Sequence, residues 1–206
     1  MPNKTKEPKS GNLKESLDQI VLYLEKNHRK PENFLKKAAT SSEIADAQSR
    51  FGYKLPNALQ ELFSWRNGTI HRRSNLGELY FFPWMYFLSV SEGVKTAETM
   101  RAASKQTELD WEDGWFPFMA TGGGDYYVIV CEKRKKKDGA VIMYYRDMVE
   151  IPAVYSGIES MFLTVLACYS EGAYVIDKKK TFVVNTDLEK KISQNLNPKV
   201  SWWRQK

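Results

Sequence analysis

The sequence is short of the residues that most active sites are built from. It has two histidines and two cysteines among 206 residues. Neither His28 nor His71 lies in a nucleophile-elbow or metal-ligand pattern, and both sit in polar segments that read as solvent-facing. Catalysis by paired carboxylates needs no histidine and stays open on sequence alone. No motif argues for an enzyme, and no cofactor or metal is expected. Cys131 and Cys168 lie in apolar surroundings and form no CxxC pair, which reads as free buried thiols in a reducing, cytoplasmic setting. No run approaches the roughly 20 apolar residues of a membrane helix. The opening MPNKTKEPKSGN has no apolar stretch of signal type and reads as a loosely held tail.

What is present is enough apolar material for a packed core: 42% hydrophobic and 13% aromatic residues. The net charge of +6 is unevenly placed. Residues 1–40 carry 9 Lys/Arg against 5 Asp/Glu, residues 41–177 carry 14 against 18, and residues 178–206 carry 8 against 2. The middle is mildly acidic and the basicity belongs to the ends. This suggests a division into an N-terminal tail and helix (1–37), a central domain (38–172) and a basic C-terminal extension (173–206).

Leu13, Leu17, Ile20, Val21 and Leu24 recur at helical spacing, with Asn12 as the cap and Glu15 three positions on. Thr40 and Glu43 form a capping-box pattern ahead of Ile44, Ala47 and Phe51, and Gly52 ends that helix. Pro56 suits the first turn of a second helix, with Leu59, Leu62 and Phe63 inward and Gly68 closing it. LYFFPWMYFLS reads as a strand broken at Pro83, and residues 90–105 return to helical spacing through Val94, Ala97 and Met100. DYYVIVCE and AVIMYYR predict a hairpin with a Lys133–Lys137 tip, whose charge discourages edge pairing. EIPAVY suggests one more strand. Ser156 and Glu159 suggest the cap of a helix running to Gly172. Helices, then antiparallel strands, then a helix make an α+β fold.

Three consecutive glycines, Gly122 to Gly124, invite a phosphate-loop reading, which the context rejects. A P-loop needs Lys-Ser/Thr and a following helix, and a dinucleotide loop needs a helix N-terminus. Here the glycines lead into the strand DYYVIV. They predict a tight turn with positive φ, held by the Asp125 side chain. Glu108, Asp110, Glu112 and Asp113 surround Trp111 without calcium-loop spacing.

SSEIADAQSRFGYKLPNALQELFSWRNG, then WFPFMATGGGDYYVIV, a hairpin and GIESMFLTVLACY together resemble the SUKH superfamily of Smi/Knr-type regulators and bacterial immunity proteins. The resemblance covers about residues 38–172 and rests on Gly52, Leu55–Pro56, Asn67–Gly68, Trp115 with Pro117, and GGGD in the right order. It implies a mixed, largely antiparallel sheet with packed helices. It also implies a non-enzymatic protein that binds and neutralises a toxin, often a nuclease. The candidate contacts are Trp115, Phe116, Gly123, Gly124, Asp125 and Tyr126, with Asn67 and the acidic Glu108, Asp110, Glu112 and Asp113 steering a basic partner. Trp115, Phe116 and Phe118 are read either as core or as a partly exposed aromatic floor. Two other readings stay open: a regulatory scaffold for cellular proteins, and nucleic-acid binding through the basic ends and the Lys133–Lys137 tip. Trp202 and Trp203 either dock back on the domain or, beside Arg204 and Lys206, stack on bases.

Overall fold

The computed structural model describes residues 12–70, 76–107, 109–131, 139–146 and 151–204. The Lys133–Lys137 tip, His71, Lys206 and the tail ahead of Asn12 lie outside them. The fold is α+β. Helices α1 (Leu13–Lys26), α2 (Ser41–Phe51) and α3 (Asn57–Trp65) precede strand β1 (Tyr86–Phe87) and helix α4 (Val90–Ser104). Strands β2 (Trp115–Ala120), β3 (Tyr126–Val130), β4 (Val141–Tyr144) and β5 (Ala153–Tyr155) follow. Helix α5 (Ile158–Ser170), strands β6 (Tyr174–Ile176) and β7 (Phe182–Val184), and helix α6 (Thr186–Leu196) complete the chain. The main sheet has the order β1-β2-β3-β4-β5 with every neighbour antiparallel, and β6 and β7 form a separate hairpin. No helix among the described residues is long and apolar enough to cross a membrane.

The helix caps explain where the chain turns. The Thr40 hydroxyl accepts from the Glu43 amide at 3.2 Å while the Glu43 carboxylate accepts from the Thr40 amide at 2.7 Å, and Gly52 leaves α2 at φ +86°. The Asn12 side chain caps α1 through the Lys14 amide at 3.0 Å rather than through Glu15. That helix ends in a Schellman turn: His28 takes φ +61°, the His28 amide donates to Glu25 O at 3.0 Å, and the Arg29 amide donates to Leu24 O at 2.9 Å.

One core joins all these elements. Leu13, Leu17, Ile20 and Leu24 of α1 are buried with Phe63 of α3, Phe116 and Phe118 of β2, and Phe162 and Tyr169 of α5. Each such side chain contributes about 1.5–3 kcal/mol on burial. Polar ties fix the register of the helices: the Trp65 indole donates to Asp18 at 2.8 Å, and the buried Tyr169 hydroxyl donates to Phe81 O at 2.7 Å. Cys131 and Cys168 are buried and form no disulfide, and burial pushes the Cys168 thiol up to about 12.

Three local expectations change. Gly68 does not close α3, which ends in an extended Arg66. Instead Gly68, at φ +85°, lies so close to the backbone before α4 that a Cβ would stand 2.3 Å from the Ser89 amide nitrogen. The aromatic run 79–89 yields only the two-residue strand β1. Pro83 offers no N–H, Trp84 takes φ +62°, and the chain folds back through a Phe82–Met85 bridge. Helix α5 is capped at Gly157, whose amide donates to the Ser160 hydroxyl at 3.3 Å, and not at Ser156.

Of the readings left open for the C-terminal extension, the described residues 173–204 show it folded back onto the preceding elements. Leu188, Ile192 and Leu196 line one side of α6, capped by Asn185 at 3.1 Å. The buried Asn197 amide donates to Thr164 of α5 at 2.9 Å. The Trp203 indole donates to Val154 O at 2.6 Å and stacks near Tyr155 at 5.9 Å. This ring is engaged by the edge of the sheet.

Burial pushes the Glu189 carboxyl of α6 above its ordinary range, and the bond it accepts from the Tyr174 hydroxyl only partly opposes this. The folded chain therefore holds this proton to higher pH than the unfolded chain does. Stability is lost as pH rises from the unfolded carboxyl value, about 4.5, through the raised folded one. Glu189→Gln is expected to melt higher than the parent at pH 8, with the gap closing towards pH 4.5; a constant gap across that range refutes the assignment. Gly68→Ala is expected to cost about 2–5 kcal/mol by urea unfolding, since a left-handed penalty and a backbone clash combine. Gly52→Ala, with nothing within 4 Å of its added Cβ, pays about 1–2 kcal/mol for φ alone.

Candidate functional site

The strands β2, β3 and β4 carry apolar residues on both faces. Phe116, Tyr127, Ile129 and Val141 join the main core, whereas Trp115, Val128, Val130, Ile142 and Tyr144 form a second cluster on the opposite side. That outer face is closed by the acidic segment, which lays Trp111 across it. The Trp111 ring lies 5.1 Å from Tyr144, 5.6 Å from Trp115 and 6.3 Å from Tyr126, each nearly edge-on. Arg101 of α4 clamps the segment from behind. Its guanidinium donates to Asp113 O and to Phe51 O, the latter at 2.9 Å, and sits 4.4 Å from the Phe51 ring. With Trp111 anchored inward, Asp110 and Asp113 are exposed and Glu112 is half-buried. Glu108 lies outside the described residues.

The glycine stretch is the β2–β3 turn. Gly122 and Gly124 take φ +88° and +102°, and Gly122 and Gly123 face solvent. Asp125 holds the turn from both ends. One carboxylate oxygen accepts from the Thr121 hydroxyl at 3.2 Å, and the other accepts from the Arg146 amide, just after β4, at 3.2 Å. The Thr121 hydroxyl in turn accepts from the Gly123 amide at 3.1 Å. The Asp125 carboxylate thereby ties two hairpins together. Burial pushes the hydroxyls of Tyr126 and Tyr144 up; Asp125 reinforces the effect at both and Asp110 at Tyr144, where Arg146 opposes it. The two tyrosines stay neutral, and the carboxylates of segment and turn are felt at one ring.

The structure thus brings Asp125, Gly123, Gly124 and Tyr126 to the turn end of the outer sheet face, with Asp110 close enough to act on Tyr144, while Glu112 and Asp113 lie at the other end, where Trp115 begins β2. It does not bring Asn67 there: the side-chain Oδ1 of Asn67 accepts from the Val90 amide at 2.9 Å, beside a separate cavity of about 170 Å³ between α2 and α4. Nor are Trp115 and Phe116 an open aromatic floor. They are 6% and 0% exposed, Trp115 under Trp111 and Phe116 against Gly93 of α4.

The exposed aromatic is Trp84, at 57%. Trp84 stands two residues before Tyr86, whose antiparallel partner Ala120 is the last residue of β2 before the glycine turn. Sequence reading passed over Trp84, since nothing in an unbroken aromatic run says which ring is left outside. The only signal is Pro83 immediately before it. Among the described residues no group of three His, Cys, Asp or Glu could hold a metal ion.

Comparison with curated proteins finds no match. The family model for the SMI1 / KNR4 family (SUKH-1) matches residues 38–164, from the approach to α2 into α5. That span contains Trp84, the acidic segment, the glycine turn and both hairpins of the outer face, and it covers well over half of the chain. The chain therefore belongs to the SMI1 / KNR4 family (SUKH-1).

Proposed function

We propose that this protein is a non-enzymatic immunity protein that binds a cognate bacterial toxin domain in the cytoplasm and covers its active surface. One observation carries the reading: within the family-matched span, the carboxylate-pinned glycine turn lies at the same end of the sheet as Asp110, whose charge reaches Tyr144, and as Tyr86, which follows the exposed Trp84 by two residues. Rigid backbone costs little ordering on association, and an aromatic anchor ringed by polar groups is the usual energetic centre of a protein interface. Asp110, Glu112, Asp113 and Asp125 complement a basic partner, and a nuclease that grips phosphates presents such a surface. An interface of this kind buries on the order of 1,200–2,000 Å² in total. Trp115 and Phe116 serve it by holding the sheet rather than by touching the partner. Asn67 serves it by fixing the start of α4.

The test pairs the protein with the toxin domain encoded beside it, reading growth rescue and binding kinetics. Trp84→Ala is expected to weaken binding at least tenfold with the fold intact by circular dichroism. Asp110→Asn with Asp113→Asn is expected to slow association and flatten its salt dependence. Full rescue and unchanged kinetics in all these variants would sink the assignment of this face. A folded protein that rescues nothing yet captures a cellular protein would move the reading to regulation.

A further inference from the structure

On the far side of the α1 terminus lies a cavity of about 230 Å³ that the proposed interface does not use. Three segments distant in sequence meet there: the Schellman turn after α1, residues 78–80, and the β6–β7 turn. The Schellman turn swings Arg29 inward until it is only 5% exposed. Its guanidinium donates to Glu78 O and Tyr80 O, both at 2.8 Å, and to Lys180 O at 3.3 Å. Of the five N–H donors a guanidinium carries, Nε–H and one Nη1–H have no protein acceptor among the described residues. Every partner is a neutral carbonyl, and no carboxylate among the described residues forms an ion pair with Arg29.

A purely structural tie would need only the three carbonyls. It would not need His28, Lys30 and Lys180 to line the same cavity, where three permanent cations face the single carboxylate of Glu78. Lys180 holds its place at φ +63° in the β6–β7 turn, a position that glycine or asparagine usually fills. The Phe34 ring, 5.9 Å from the guanidinium, gives the site an apolar wall. The volume is below the roughly 300–1,000 Å³ of pockets that engulf whole drug-sized ligands. It suits one compact charged group.

We propose that this cavity is a binding site for a phosphoryl oxyanion. The Arg29 N–H groups with no acceptor among the described residues supply directed donors of the kind such an anion takes, and His28, Lys30 and Lys180 line the same cavity. Inorganic phosphate and the terminal phosphate of a larger molecule share this chemistry.

The experiment is isothermal titration of the full chain with inorganic phosphate, against chloride at matched ionic strength, alongside thermal melting. Phosphate is expected to bind with millimolar or tighter affinity and to raise the melting midpoint by several degrees. The double variant Lys30→Gln, Lys180→Asn changes two exposed side chains and keeps the left-handed residue tolerable. It is expected to bind phosphate at least tenfold more weakly with an unchanged midpoint in phosphate-free buffer. Titration with a phosphoserine peptide and with a nucleoside diphosphate then separates the sources: tighter binding than inorganic phosphate by either identifies it as the carrier. Phosphate acting no better than chloride, or a double variant that binds like the parent, overturns the site.

Discussion

The central strands of this sheet carry apolar side chains on both faces, and the chain must cover both. Helices cover the inner face with the bulk of the core, including Phe116, Phe118, Ile129 and Val141. On the outer face the Trp111 indole closes over Trp115, Tyr126 and Tyr144, with Met100 of α4, Leu109 and Ile151 packed beside it. From that coverage the rest of the face follows. Once Trp111 is committed inward, its neighbours Asp110 and Asp113 are left outward, and Arg101 can hold the segment by its backbone. The charge of the face is thus a by-product of burying a hydrophobic one.

The turn beside it obeys a similar logic. A five-residue connection between β2 and β3 needs residues that accept positive φ, and the glycines provide them. Freedom alone would leave the loop loose. The Asp125 carboxylate removes that freedom by accepting from both Thr121 and Arg146. In the proposed interface, a turn fixed in this way presents its shape with little ordering cost.

Much of this was legible in the residues. The Thr40–Glu43 box, Gly52, the β3–β4 hairpin and the role of Asp125 all depend on local chemistry, which sequence spacing carries directly. What was not legible depends on distant partners. Gly68 is required by the Ser89 backbone, which no spacing rule connects to it. Trp115 and Phe116 lie in a strand buried on both faces, so no alternation distinguishes a covered ring from an open one. Helix α6 carries a stripe at Leu188, Ile192 and Leu196, but the lysines around it marked the segment only as a basic extension and left its packing open. Its two partner strands, β6 and β7, have three residues each, too few to show a period. The family-matched span leaves out α1, β6, β7 and α6, yet α1 shares the main core and α6 is tied to α5 by Asn197. The cationic cavity arises where these added segments meet the matched one.

The most direct measurement of the binding face is a hydrogen-exchange footprint of the full chain with and without its cognate toxin domain. Slowed exchange at residues 121–126 and 109–113, together with the backbone around Trp84, is the expected result. Protection confined to β6, β7 and α6, with the glycine turn and acidic segment exchanging as in the free protein, would contradict it and place the partner elsewhere.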